Sequence, residues 1–262
     1  MNWSPFNPEF MTDPARGHQY LLNEWPVHYC DMFEPPFYTL SRYGDVENAL
    51  RDIKTFSSHF GQGPRFTEPA GMLCDPPQHT QYRKLIQQAF TPKAVAELRP
   101  MVVSLANKLV DDILAGERGF DLHDDLAFPL PVIIIAGMLG VPAEDLEDFK
   151  RWSDMQVELM GSEDPSQYVD EQTRFQAYMH AHMMSRRSLI ESGAEVPEDL
   201  LTLVASAKTD TGEYIPDGDA LSMLNQLLVG GNETTTSLIT NMIWRLLEVP
   251  SLWQEILDDE SL

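Results

Sequence analysis

Residues 217–248 read DGDALSMLNQLLVGGNETTTSLITNMIWRLLE, a long stretch without a proline. Leu221, Leu224, Leu228, Leu238, Met242 and Leu246 recur along it at helical spacing. As one helix rising about 1.5 Å per residue, it crosses a whole domain. The apolar stripe is interrupted halfway by Gly230-Gly231-Asn232-Glu233-Thr234-Thr235. Each interior glycine costs about 1 kcal/mol relative to alanine. The threonines 234–236 add β-branched side chains that a helix disfavours. An acid and a hydroxyl thus stand beside two missing side chains in a helix otherwise built for burial. Local rules broken in mid-core mark a functional site or a kink. A purely structural account is equally open on pattern alone: paired glycines admit another helix, and a threonine hydroxyl bonds back to its own helix.

Around this segment the composition is that of an ordinary globular protein, with 262 residues, 43% hydrophobic and 23% charged. The net charge of -23 repels a phosphate backbone and an acidic membrane surface, so neither nucleic acid nor membrane is expected as a partner. Cys30 and Cys74 do not make a disulfide framework in a chain of this size, which points to a reducing, cytoplasmic setting. Met1 to Phe10 has neither the basic start nor the apolar run of a secretory signal. The uncharged stretch from Leu126 to Glu144 carries Pro129, Pro131 and Pro142; it is too short and too broken to span a bilayer and reads as a buried helix around Val132–Leu139.

The first thirty-five residues read as an irregular arm with at most one short helix. Pro36–Arg42 carries β-forming residues and is expected to be a strand, and Gly44-Asp45 opens a helix. Residues 57–78 read as a long loop. From His79 the chain is expected to be almost wholly helical, with helices near 79–90, from Thr91-Pro92 to about Leu114, and near 132–139, 142–160, 165–191 and 198–207. No repeat or domain linker is visible, so 1–262 is expected to be a single domain, mainly α with a small β component.

Gly230-Gly-Asn-Glu-Thr-Thr235 within a long apolar helix resembles the distal haem helix of cytochromes P450, whose pattern is Ala/Gly-Gly-x-Asp/Glu-Thr-Thr. The resemblance implies that Gly230 and Gly231 leave room for dioxygen and substrate, and that Glu233 and Thr234 are the acid and hydroxyl that deliver protons. Splitting the O–O bond consumes protons, and an apolar pocket must import them through a short hydroxyl, water and carboxylate chain. A second match is independent of the first. Asp75-Pro-Pro-Gln-His79-Thr-Gln-Tyr-Arg83-Lys84, followed by Ala89-Phe-Thr-Pro92, resembles the family's D-P-P-x-H-T-x-x-R segment with its following A-F-T-P. This implies that His79 and Arg83 bind the haem propionates. Residues four apart share a helix face, and two adjacent donors suit a pair of carboxylates. Smaller similarities lie in Tyr43–Leu50 with Thr55-Phe-Ser-Ser58, and in Pro129-Leu-Pro-Val132 through Leu139-Gly-Val-Pro142. The likeness covers about Tyr38 to Leu262.

The family implies a haem b monooxygenase that uses O2 to hydroxylate an apolar small molecule, with electrons from a ferredoxin or flavodoxin. The loop Gly61–Leu73, with Met72 and Leu73 as wall residues, is expected to contact substrate. The axial iron ligand of the family is a cysteine in a Phe-x-x-Gly-x-x-x-Cys-x-Gly loop, and neither Cys30 nor Cys74 sits in one. Glu171-Gln-Thr-Arg174 has the letters of the family's Glu-x-x-Arg pair but precedes the long helix, so it is taken as coincidence. The expectation is therefore an incomplete P450 domain, truncated after the distal helix and inactive alone.

Two rival classes stand beside it. Asp111-Asp112, Asp124-Asp125 and Asp258-Asp259 have the paired acids of Mg-dependent prenyl and terpene synthases, but none continues as Asp-Asp-x-x-Asp. A non-catalytic helical interaction module is the other. His180-Ala-His182 is not expected to bind metal, because residues two apart point to different sides of a helix. Between His79 and Arg99 the basic residues Arg83, Lys84, Lys93 and Arg99 face one acid, Glu97, a basic island suited either to steering an acidic electron donor or simply to solvation.

Overall fold

A computed structural model describes the chain except residues 1, 2, 6, 33, 62–67, 117–118, 163 and 260–262, and the backbone only of 143, 157, 160 and 161. The described residues form two compact units, 1–81 and 82–262.

In the first unit, α1 (Pro8–Thr12) and α2 (Pro14–Glu24) each begin with an Asx cap followed by proline: Asn7 accepts from the Glu9 N–H and Asp13 from the Arg16 N–H. These are helix-start signals, so the arm is more regular than its proline-rich composition suggests. Leu21, Phe10 and Trp3 pack together in its core, where a Cβ on Gly17 would press on the Trp3 ring nitrogen at 3.0 Å. The expected strand is β2 (Phe37–Leu40). It pairs antiparallel with β1 (Val27–Cys30), which the sequence pattern did not mark. The helix α3 (Tyr43–Arg51) follows as expected, then single 3-10 turns at Ser58–Phe60 and Gly71–Leu73 within the long loop.

The unit boundary falls within α4 (Gln78–Gln87). In the second unit Thr91 caps α5 (Pro92–Ala115) by accepting from the Ala94 N–H, with Pro92 in the first turn. A single π turn at His123–Ala127, which no sequence signal announced, leads into α6 (Pro129–Leu139). Then come α7 (Leu146–Gly161), α8 (Val169–Ser192) and α9 (Leu200–Ala205). The first two start four residues later than the sequence pattern suggests, each preceded by a 3-10 turn. The long helix is continuous as α10 (Asp217–Glu248), and α11 (Pro250–Asp258) ends the described chain. The N-terminal half of α10 is packed among α6, α7, α8 and α9. Met223, Leu224 and Leu228 are fully buried there with Val132 and Leu139 of α6, Phe149 of α7, Met183 of α8 and Val204 of α9.

Buried Arg187 of α8 ties this unit together. Its Nε donates to the Ala205 carbonyl at 3.1 Å and Nη2 to the Ile215 carbonyl at 3.2 Å, while Nη1 meets the Asp217 carboxylate at the start of α10. That guanidinium, assisted by His180 at 3.4 Å, holds the Asp217 carboxyl below the usual carboxylate range. Among the described residues no helix is long and apolar enough to cross a membrane. Asp217→Ala leaves the buried cation short of its charged partner and is expected to cost about 2–3 kcal/mol in urea unfolding; a midpoint equal to the parent's would show that Arg187 needs only its two carbonyls.

Candidate functional site

The two mid-helix glycines of α10 do different work. A Cβ on Gly231 would lie 3.0 Å from both Cγ1 and Cδ1 of Ile135, so Gly231 lets α6 and α10 approach closely. A Cβ on Gly230 would meet nothing within 4 Å. Gly230 borders a cavity of about 410 Å³ whose walls include Val102 of α5, Ile134 and Met138 of α6, and Leu227 and Thr235 of α10. Its lining is mostly apolar, as ligand pockets are.

Thr234 and Thr235 are exposed and Glu233 is half-buried. The Thr234 hydroxyl donates to the Gly230 carbonyl at 3.0 Å and that of Thr235 to the Gly231 carbonyl at 3.4 Å. The local back-bonding anticipated for threonine is therefore present. Glu233 accepts from the Ser237 hydroxyl at 3.5 Å. Beyond the notch α10 is not buried as its apolar stripe suggests: Leu238 is 67% exposed and Met242 49%.

Asn232, to which the sequence assigned no role, is the best-anchored residue of the segment. It is fully buried, its Nδ2 donating to the Ser153 hydroxyl of α7 at 2.8 Å. Its Oδ1 accepts from the Thr236 hydroxyl at 3.1 Å, and that hydroxyl also reaches the Ala127 carbonyl of the π turn at 3.1 Å. The signal was available: Leu224, Leu228, Asn232 and Thr236 follow one another every fourth residue, so two polar side chains continue a core stripe.

On α4, His79 is half-buried and Arg83 exposed, one turn apart. Tyr82 docks the C-terminal part of α4 on the first turn of α10 through its hydroxyl, 2.8 Å from Asp219 Oδ2. Among the described residues no carboxylate pairs with Arg83 or Lys84, although the chain carries 41 acids. In the first unit, Asp75 accepts from the Ser57 hydroxyl at 2.5 Å and from the Ser58 N–H at 2.8 Å, which holds its carboxyl below the usual range, and its carbonyl accepts the His79 N–H at 3.1 Å. Met72 and Leu73 are half-buried in a 3-10 turn of that unit, while residues 62–67 of the expected substrate loop lie outside the described residues.

The other sequence candidates dissolve into local contacts. His180 faces Asp217, and His182 lies 4.3 Å from the Tyr178 ring. Asp112 pairs with Lys108 at 2.6 Å. Glu171 binds Arg174 at 2.9 Å and accepts from the Trp152 ring N–H at 3.2 Å, joining α8 to α7. Among the described residues no three His, Cys, Asp or Glu side chains converge as a metal site would need.

No family model matches the chain. Curated relatives and solved structures do. The chain is 36% identical over 226 residues to the erythromycin C-12 hydroxylase of Saccharopolyspora erythraea, covering 83% of this chain and 54% of that protein. It is 31% identical over 269 residues to the vitamin D(3) 25-hydroxylase of Pseudonocardia autotrophica, covering 98% and 63%. The solved cytochrome P450 CYP109Q5 from Chondromyces apiculatus superposes with a TM-score of 0.79 at 34% identity, over 97% of this chain and 63% of that one. The chain belongs to the cytochrome P450 family. It spans between 54% and 63% of the length of these P450s.

Haem is the cofactor of P450s. Two observations fit the residues present to it. Among the described residues Arg83 pairs with no carboxylate in a strongly acidic chain, a cation suited to a propionate. Gly230 faces open space beside an apolar cavity. Neither Cys30, buried in β1, nor Cys74, which precedes Asp75-Pro76-Pro77, lies in the P450 cysteine motif.

The glycines make a test. Gly230→Ala, with open space at its Cβ, is expected to stabilise the chain by about 0.5–1 kcal/mol through helix propensity. Gly231→Ala pushes on Ile135 and is expected to cancel that gain or cost about 1–3 kcal/mol. Equal effects in chemical unfolding would contradict the division of labour.

Proposed function

We propose that the protein containing this chain is a haem monooxygenase that hydroxylates an apolar small molecule. The balance is R–H + O2 + 2 electrons + 2 protons giving R–OH + H2O, with the electrons supplied by a ferredoxin or flavodoxin. Haem, when bound, supplies the redox-active iron at which dioxygen is reduced. Support comes above all from Gly230, whose open side adjoins an apolar cavity, with the acid and hydroxyl of Glu233 and Thr234 following it one turn along α10. In this assignment Glu233 takes protons from solvent and Thr234 passes them on; Gly230 keeps the helix slim where dioxygen binds, while Gly231 lets α6 close in beside it. His79 and Arg83 hold the propionates, Met72 and Leu73 touch substrate, and exposed Lys84, Lys93 and Arg99 meet an acidic electron donor. The relatives include hydroxylases named for erythromycin and vitamin D(3), which favours a sizeable organic molecule as the class of substrate. Two free cysteines suit the cytoplasm.

The 262 residues alone are expected to give no reduced-CO band at about 450 nm, because no motif here supplies the thiolate; such a band would refute this. In haem-loaded full-length enzyme, Glu233→Gln and Thr234→Ala are expected to lower product formation by about 100-fold and divert electrons to hydrogen peroxide. Unchanged product and peroxide in both variants would exclude the relay.

A further inference from the structure

Among the described residues that line the cavity beside Gly230, only Gln226 and Thr235 have polar side chains, and the two differ. The Thr235 hydroxyl is turned onto its own helix, where it donates to the Gly231 carbonyl at 3.4 Å. Gln226 is half-buried in the cavity wall, and its Nε2 donates to the Ser222 hydroxyl, one turn back along α10, at 2.6 Å. We infer that Gln226 sets the specificity of this cavity: its carboxamide hydrogen-bonds a hydroxyl group on an otherwise apolar substrate. This rests on the monooxygenase reading of the cavity and adds to it a residue and a chemical feature of the substrate.

Gln226 precedes Gly230 by four residues, so the two lie on one face of α10, about 6 Å apart along the helix axis. Its neighbours in the wall are apolar: Leu227 beside it, Ile134 and Met138 on α6, and Val102 on α5. Packing alone gives no reason for an amide there. Leucine or methionine fills a similar volume without removing polar atoms from water. The bond to Ser222 offsets part of that cost, and it also restricts the orientation of the carboxamide, which an apolar wall does not require. Ligand pockets place a small number of polar groups in this way to orient what they bind.

The chemistry of the handle follows from the amide. A carboxamide has both N–H donors and a carbonyl acceptor, and a hydroxyl both donates and accepts, so it matches either end. A charged handle would enter a wall in which no described residue is charged, and its desolvation would go uncompensated. A hydroxyl held at Gln226 anchors one end of the substrate and directs the apolar remainder toward Gly230, one turn on. A site that bonds a hydroxyl discriminates against an analogue lacking it more sharply than an apolar pocket discriminates by size.

The probes for the test are 1-adamantanol and 1-methyladamantane, which exchange a hydroxyl for a methyl group. Both are measured by calorimetry on the haem-loaded full-length enzyme. In Gln226→Met and in Gln226→Leu, the ratio of the two dissociation constants is expected to shift by about five- to tenfold in favour of the hydrocarbon. Haem content and unfolding midpoint are expected to stay at the parent's values. A ratio unchanged in both variants overturns the inference, as does a parent that binds neither probe. Dioxygen consumption by the electron-supplied parent separates this from the reading beneath it. If dioxygen is reduced and the ratio does not move, the inference falls alone. If no dioxygen is reduced, the monooxygenase reading falls, and with it the identification of the bound alcohol as a substrate.

Discussion

The hydrogen bond between Asn232 of α10 and Ser153 of α7 is the constraint on which the notch depends. Both side chains lie in the core, where an unpaired amide or hydroxyl costs roughly 1–3 kcal/mol. The pair is completed by Thr236 and the Ala127 carbonyl, so one compact network joins α7, the π turn and α10. The close approach of Gly231 to Ile135 sets the spacing of α10 from α6. Held by both, α10 leaves Gly230 facing free volume. The opening beside Gly230 thus follows from contacts made elsewhere on the helix, which is why mid-helix glycines that weaken the helix locally are tolerated.

Much of this was legible in advance. The continuity of α10 followed from its apolar period and lack of proline, and the start of α5 from Thr91-Pro92, because both are local effects that a single sequence carries. The helices α1 and α2 carried equally local signals in Asn7-Pro8 and Asp13-Pro14, obscured by a proline-rich composition. β1 was not legible, since a four-residue strand exists only through its partner β2. The π turn at His123–Ala127 was not legible either; its backbone is set by what packs around it.

At the site, residue types were easier to read than residue roles. Glu233 and Thr234 stood out because acids and hydroxyls are rare in an apolar helix. Asn232 did not, although its place in the row of Leu224 and Leu228 marked it as a core position. Gly230 and Gly231 looked alike in sequence and proved different, because the distinction lies in Ile135, far away along the chain. Long-range partners of this kind are invisible to periodicity, as is the pairing of Tyr82 with Asp219.

Native-state hydrogen exchange of the α10 amides probes the dependence of the notch on its buried network most directly. If the network holds the helix, the amides of residues 232–236 exchange only through global unfolding, and Ser153→Ala opens a local route that exposes them first. Exchange of those amides by local opening in the unaltered chain, at rates like those of the exposed segment after Leu238, would contradict the account.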